Sequence, residues 1–217
     1  GKSICYQLPA LLLDGITLVV SPLIALMKDQ VDSLQARNLP AARLDSTLSA
    51  EETRALYQDL DSNKIKLLYV APERLANEKF RHRLEKLTIS LLAIDEAHCI
   101  SEWGHNFRPD YLKLTRFAEE LQVERVLCLT ATATPQVSKD ICDHFQISPD
   151  DHHQLTFYRP NLHLSVTPLA DSDRRNHLLE RLKSSPTRAT IIYTTLQFGA
   201  ESLASFLNKN GLTVRPY

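Results

Sequence analysis

From Ile89 to Ile94 the chain reads ISLLAI and then turns in one step to two adjacent carboxylates, Asp95 and Glu96. Ile89 and Leu91 through Ile94 show none of the in-and-out alternation of a half-solvated strand. Such a run suits a strand buried on both faces of a parallel sheet. Asp95 and Glu96 then fall at its C-terminal end, the edge where ligands sit in open α/β sheets. Two acids at that edge point to a divalent metal and a base. The plainer alternative is a solvated turn after a strand.

A second stretch weighs against that alternative. The chain opens Gly1-Lys2-Ser3, followed by the helical run ICYQLPALLL. These are the last three positions of a phosphate loop, GxxxxGK[ST], in which backbone N–H groups cradle phosphate, the Lys reaches the β/γ-phosphates and the hydroxyl binds Mg²⁺. The earlier loop residues and the strand expected before them lie outside this sequence, which has no initiating Met, so the chain reads as part of a longer protein. A GKS opening a helix and an apolar strand ending in Asp-Glu are the two halves of one Mg-nucleotide site. Gly1, Lys2 and Ser3 are assigned to phosphate, Ser3 and Asp95 to Mg²⁺, and Glu96 to orienting and deprotonating the attacking water.

Strand and helix signals alternate along the chain. Ile16–Val20 is a β-branched strand after a turn at Gly15, and Ser21-Pro22 opens a helix whose Leu23, Leu26, Met27, Val31 and Leu34 recur at helical spacing. Ser49 with Glu52 forms a capping box, and Thr134-Pro135 supplies an N-cap and a first-turn proline. Strands are also expected at 42–44, 65–70 and 126–129, and a helix at 111–121. The expected fold class is α/β, a parallel sheet covered by helices on both faces. Residues 148–173 are polar and Pro-containing, as in a connector. After them come a helix at 176–183, a strand at Thr190–Tyr193, a helix at 198–210 and a strand at Leu212–Val214, the start of a second α/β domain.

Composition narrows the partners. A net charge of −1 gives no global basic excess, so any nucleic-acid binding must be local. Cys5, Cys99, Cys128 and Cys142 are scattered without a CxxC pair, which argues against a zinc site or disulfide framework and for buried thiols. His152-His153 reads as a solvated loop. With no long apolar run and no signal-peptide pattern, the expectation is a soluble intracellular protein without a membrane partner.

Taken together, these stretches resemble the RecQ family of superfamily 2 DNA helicases over nearly all of the chain. GKSICYQLPA resembles motif I, VVSPLIALMKDQV motif Ia, LLYVAPERL the Ib region, LTATAT motif III, FYRPNL the connector motif and IIYTTL motif IV, where the family more often has Cys after the Tyr. LLAIDEAHCISEWGHNFRPDY is similar to motif II with the family's aromatic-rich loop. The resemblance implies ATP and Mg²⁺ as cofactors, two RecA-like lobes (1–150 and 173–217, joined by 151–172), and 3′-to-5′ translocation on single-stranded DNA at duplex junctions. Zinc belongs to family domains beyond these motifs. It implies a cytoplasmic location, nucleoid-associated in a bacterium and nuclear in a eukaryote.

By the same resemblance His98 would pass the state of the nucleotide to Thr130, Ala131 and Thr132. Trp103, His105, Phe107 and Arg108 would form a base-stacking, phosphate-contacting platform, although the only Trp in the chain could equally plug a core under a long loop. Ser21, Pro22, Lys28 and Arg74 are candidates for backbone phosphate. The competing readings are an RNA-dependent DEAH-type ATPase and a module that binds nucleotide or DNA without turnover.

Overall fold

The computed structural model describes residues 1–104, 106–155, 159–184 and 189–216. They fall into two compact units, Gly1–Phe157 and Tyr158–Tyr217.

The first unit is built on five parallel strands, β1 (Ile16–Val20), β2 (Ala41–Leu44), β3 (Leu67–Val70), β4 (Ile89–Ile94) and β5 (Val126–Cys128), in the order β2-β3-β1-β4-β5. Every residue of β1, β3 and β4 is buried, which is why these segments lack alternation. The pleat still sorts their side chains between two cores. Leu18, Val20, Leu68, Val70, Leu92 and Ile94 face α3 (Ala50–Asp61), α4 (Glu78–Leu84), α6 (Leu114–Glu120) and α7 (Pro135–Phe145). Val19, Leu67, Tyr69, Leu91 and Ala93 face α1 (Ile4–Leu12) and α2 (Ile24–Gln35). Each aliphatic side chain sealed this way contributes about 1.5–3 kcal/mol. The sheet is therefore fixed from both sides, with its C-terminal edge left for the loops that carry the chemistry.

Local signals start the helices as the residues require. Ser49 and Glu52 close a reciprocal capping box on α3, and the Thr134 hydroxyl accepts from Val137 N at the start of α7. Pro72 opens a 3-10 turn to Ala76, and Asn77 then caps α4 by accepting from Phe80 N at 3.0 Å. The helix expected at 111–121 is instead two, α5 (Pro109–Leu112) and α6, separated at Lys113. Tyr111 of α5 and Leu114 and Phe117 of α6 enter the same core, and Tyr111 also donates its hydroxyl to the Asp95 carbonyl.

In the second unit α8 (Arg174–Lys183) and α9 (Gln197–Lys209) form, but the segments expected as strands at Thr190–Tyr193 and Leu212–Val214 carry no ladder. A strand exists only through its neighbour, and Val214 finds another partner: the Asn208 side chain bonds both its N–H and its carbonyl at 3.0 Å. Residues 159–173 hold neither helix nor strand. Among the described residues no helix is long and apolar enough to cross a membrane. Cys5 is exposed on α1, against the expectation of a buried thiol, because its side of the helix faces away from Tyr6 and Ala10.

Candidate nucleotide site and its aromatic loop

β4 delivers the acid pair. Asp95 N still bonds the Val20 carbonyl, so Asp95 is the last residue held by the ladder, and it is only 8% exposed. Glu96 then turns into the left-handed region (φ 49°, ψ 45°), a conformation costing a non-glycine residue about 1–3 kcal/mol. The surroundings hold it there: Asp95 Oδ1 accepts Glu96 N at 3.0 Å, Ala97 N bonds the Leu129 carbonyl, and Cys99 N bonds the Glu96 carbonyl. The kink swings the Glu96 carboxylate off the strand axis toward the N-terminus of α1.

Lys2 meets it. Its Nζ lies 3.0 Å from Glu96 Oε1 and 3.6 Å from Asp95 Oδ1. Burial pushes the Asp95 carboxyl above its ordinary range, and Lys2 pulls it only part of the way back. One ammonium shared by two carboxylates leaves the site short of positive charge. Among the described residues no group of three or more His, Cys, Asp or Glu could hold an ion. Hard oxygens and a single carboxylate fit Mg²⁺, which keeps waters and takes phosphate oxygens rather than an all-protein cage.

Ser3 does not use its hydroxyl to cap α1. Instead Gln30 Nε2 donates to Ser3 Oγ at 3.0 Å, Gln7 Nε2 donates to Gln30 Oε1 at 2.9 Å, and Gln7 also reaches Tyr69 Oη at 3.2 Å. Tyr6 packs edge-on against Tyr69, with ring centroids 6.1 Å apart, and burial raises both phenols. This network fixes Ser3 from α2 and β3 at once. The first turn of α1 holds no acidic residue, so its N–H groups remain compatible with an anion.

His98, 4% exposed, places Nδ1 2.9 Å from Thr130 Oγ1 and 3.2 Å from Glu96 Oε2. Thr130 Oγ1 accepts Thr132 N at 3.3 Å. Lys2, Asp95, Glu96, His98 and Thr130 are thus in one connected cluster, with Ser3 beside it.

The aromatic loop leaves this cluster and returns to it. Arg108 N bonds the Cys99 carbonyl, and Gly104 N bonds the Ser101 carbonyl. A Cβ at Gly104 would stand 2.5 Å from the His98 carbonyl oxygen, so only glycine lets the loop fold back so closely. Trp103 is 77% exposed, which removes the core-plug reading for it, while Phe107 and Arg108 are half-buried. Arg108 pairs with Glu73 at 3.7 Å. His105 lies outside the described residues.

The remaining phosphate candidates divide. Lys28 is exposed on α2 and Pro22 half-buried. Ser21 is buried, with its Oγ unpartnered inside the protein rather than offered outward. Arg74 is committed to structure: its guanidinium donates to the Asp45 carbonyl at 2.5 Å. That segment is locked further by Asp45, whose carboxylate takes Arg43 and Thr47. Burial pushes the Asp45 pKa up, but these partners outweigh it and hold it low. Sequence reasoning missed Gln7, Gln30 and Tyr111. The available signal for Gln30 was a polar residue bordering the buried stripe Met27, Val31 and Leu34.

A parallel sheet with a lysine, a hydroxyl and two acids toward its C-terminal edge is the arrangement of a P-loop nucleotide core. The family model for DEAD/DEAH box helicases matches residues 1–141, and the chain belongs to that family. Over its whole length the chain is 41% identical to ATP-dependent DNA helicase RecQ of Bacillus subtilis and 40% identical to ATP-dependent DNA helicase Q5 of Mus musculus. It spans 36% and 24% of those proteins. The solved helicase domain of Pyrococcus furiosus Hef matches 97% of the chain and 47% of its own length, with a TM-score of 0.50 at 20% identity, a likeness of fold.

Proposed function

We propose that the chain is the motor core of an ATP-dependent DNA helicase of the RecQ type. It would couple Mg-ATP hydrolysis to 3′-to-5′ movement on single-stranded DNA and to opening of duplex junctions in repair and recombination. The observation that carries this reading is the contact of Lys2 with both Asp95 and Glu96, with His98 joining Glu96 to Thr130 and the aromatic loop rooted in the same turn. The identity to proteins named ATP-dependent DNA helicases supports it. In this reading residues 1–150 form the first lobe, 151–172 a connector and 173–217 the start of a second, in a cytoplasmic protein associated with its DNA.

The chemistry follows from the groups present. Lys2, released from the acids, neutralises β/γ-phosphate charge, and Ser3 and Asp95 supply hard oxygens to Mg²⁺. Held there, Mg²⁺ would supply charge stabilisation for the phosphoryl group. Glu96, aimed off the strand by its left-handed backbone, orients the attacking water and takes its proton. His98 senses that carboxylate and passes its position to Thr130. Trp103 offers an exposed face for a base, and Arg108 exchanges Glu73 for a phosphate.

ATPase measured with no nucleic acid, with single-stranded DNA and with single-stranded RNA, in full-length wild type and Lys2→Ala, tests the reading. DNA should stimulate the wild type and RNA should not, and Lys2→Ala should lose turnover at least a hundredfold. Equal stimulation by RNA would favour the RNA-dependent alternative. Nucleotide binding without turnover would leave a binding module.

A further inference from the structure

The cluster that roots the aromatic loop extends to a residue outside the nucleotide site. Ser101, at the start of the loop and 2% exposed, donates its hydroxyl to Asp140 Oδ2 at 2.5 Å and accepts Trp103 N at 3.2 Å. The second oxygen of Asp140 is also occupied, accepting Gln136 Nε2 at 2.8 Å, and His144 Nδ1 bonds its main-chain carbonyl at 2.8 Å. Asp140 lies midway along α7, whose cap, Thr134, stands four residues after Thr130, the residue that His98 contacts. One rigid helix therefore has its first turn beside the nucleotide-side threonines and its second turn on the root of the loop.

We propose that Asp140 is a positioning residue for DNA-stimulated turnover, fixing the loop that bears Trp103 relative to Thr130 and Glu96 through its bond to Ser101. The proposal rests on the helicase reading above. The physical requirement is specific. Without the acceptor a buried hydroxyl is left unmet, the Trp103 N–H loses a fixed partner, and the loop is no longer indexed to α7. A carboxylate is not needed for its charge: an Asn oxygen could accept the same bond while its amide N–H donates to Gln136 Oε1 once the Gln136 amide flips.

Two readouts test this, neither of which a purely structural role would move. One is the ratio of ATPase with and without single-stranded DNA in the full-length protein. The other is the fluorescence anisotropy of Trp103, the only tryptophan in the 217 residues, measured in this chain with and without a single-stranded oligonucleotide. Asp140→Ala and Ser101→Ala should each lower the stimulation ratio about fivefold or more, the equivalent of one lost hydrogen bond, and lower the Trp103 anisotropy. The double variant should be no worse than either single one, because both remove the same link. Asp140→Asn should restore most of both signals.

Wild-type stimulation and anisotropy in Asp140→Ala would overturn the proposal, whatever its melting temperature. So would additive losses in the double variant, or failure of Asn to restore them. If Asp140→Ala fails to fold, Ser101→Ala and Asp140→Asn decide the matter. A wild type that shows no stimulation by DNA would instead sink the helicase reading, and the Trp103 anisotropy of the DNA-free variants would still decide the positioning role.

Discussion

Trp103→Ala separates an interaction surface from a piece of core. A tryptophan carries about 250 Å² of side-chain surface, and at 77% exposed Trp103 keeps roughly 60 Å² out of water. At about 25 cal/mol per Å² its truncation should cost about 1.5 kcal/mol, against about 3–5 kcal/mol for an aromatic deleted from a core. Phe107, half-buried on the same loop, should cost more than Trp103 when cut to alanine. In denaturant melts Trp103→Ala should therefore shift the midpoint slightly with an unchanged slope. Its ATPase, assayed in the full-length protein, should respond to single-stranded DNA several-fold less than wild type, since one stacked base contributes about 1–3 kcal/mol. A stability loss above about 3 kcal/mol with the stimulation ratio intact would refute both the burial argument and the platform.

The acid pair should separate by role. Glu96→Gln keeps the shape and the Lys2 contact but cannot take a proton, so turnover should fall about 10²–10⁴-fold while nucleotide affinity, measured by titration calorimetry, stays within a few-fold. Equal loss of affinity in Glu96→Gln and Asp95→Asn would show that the two do not divide the work. Burial holds the folded pKa of Asp95 above its unfolded value, so the folded chain keeps that proton more tightly. Its contribution to stability is then fully present below the unfolded value of about 4 and is lost as pH rises through the folded value. Asp95→Asn should accordingly raise the melting temperature of the nucleotide-free chain at neutral pH, by an amount that shrinks as the pH is lowered toward 4. A melting temperature lowered at neutral pH would contradict this.

What could be read from the sequence was what short-range chemistry decides. The unalternating run before Asp95 announced a strand buried on both faces. Ser49 with Glu52, and Thr134 with Pro135, announced their helices because both partners in each signal lie within one turn. Lys2, Asp95 and Glu96 could be grouped from residue type because phosphate chemistry constrains it, and the structure brings these three side chains together. The bonds of Gln30 to Ser3 and Ser101 to Asp140 were not, since they join positions 27 and 39 residues apart that only helix packing brings together. The Arg74 bond was hidden for a related reason: a basic residue after a strand can reach a ligand or a neighbouring carbonyl, and its bond to the Asp45 main chain joins positions far apart in sequence. Thr190–Tyr193 has strand composition, but composition does not supply a partner edge.

The place of β1 sets a schedule for the making of the protein. It is hydrogen-bonded on one side to β3 and on the other to β4, so of these five strands the middle one is made first and completed late. At about 5–20 residues per second of synthesis, Val20 leaves the ribosome roughly 4–15 s before Ile94. Through that interval Ile16–Val20, five residues destined for full burial, has one edge without its strand. The docking of β4 ends the wait and, by closing Asp95 N onto the Val20 carbonyl, seats the acid pair in the same event. A nascent chain stalled before Ile94 is thus both without its carboxylate pair and at its most exposed to chaperones.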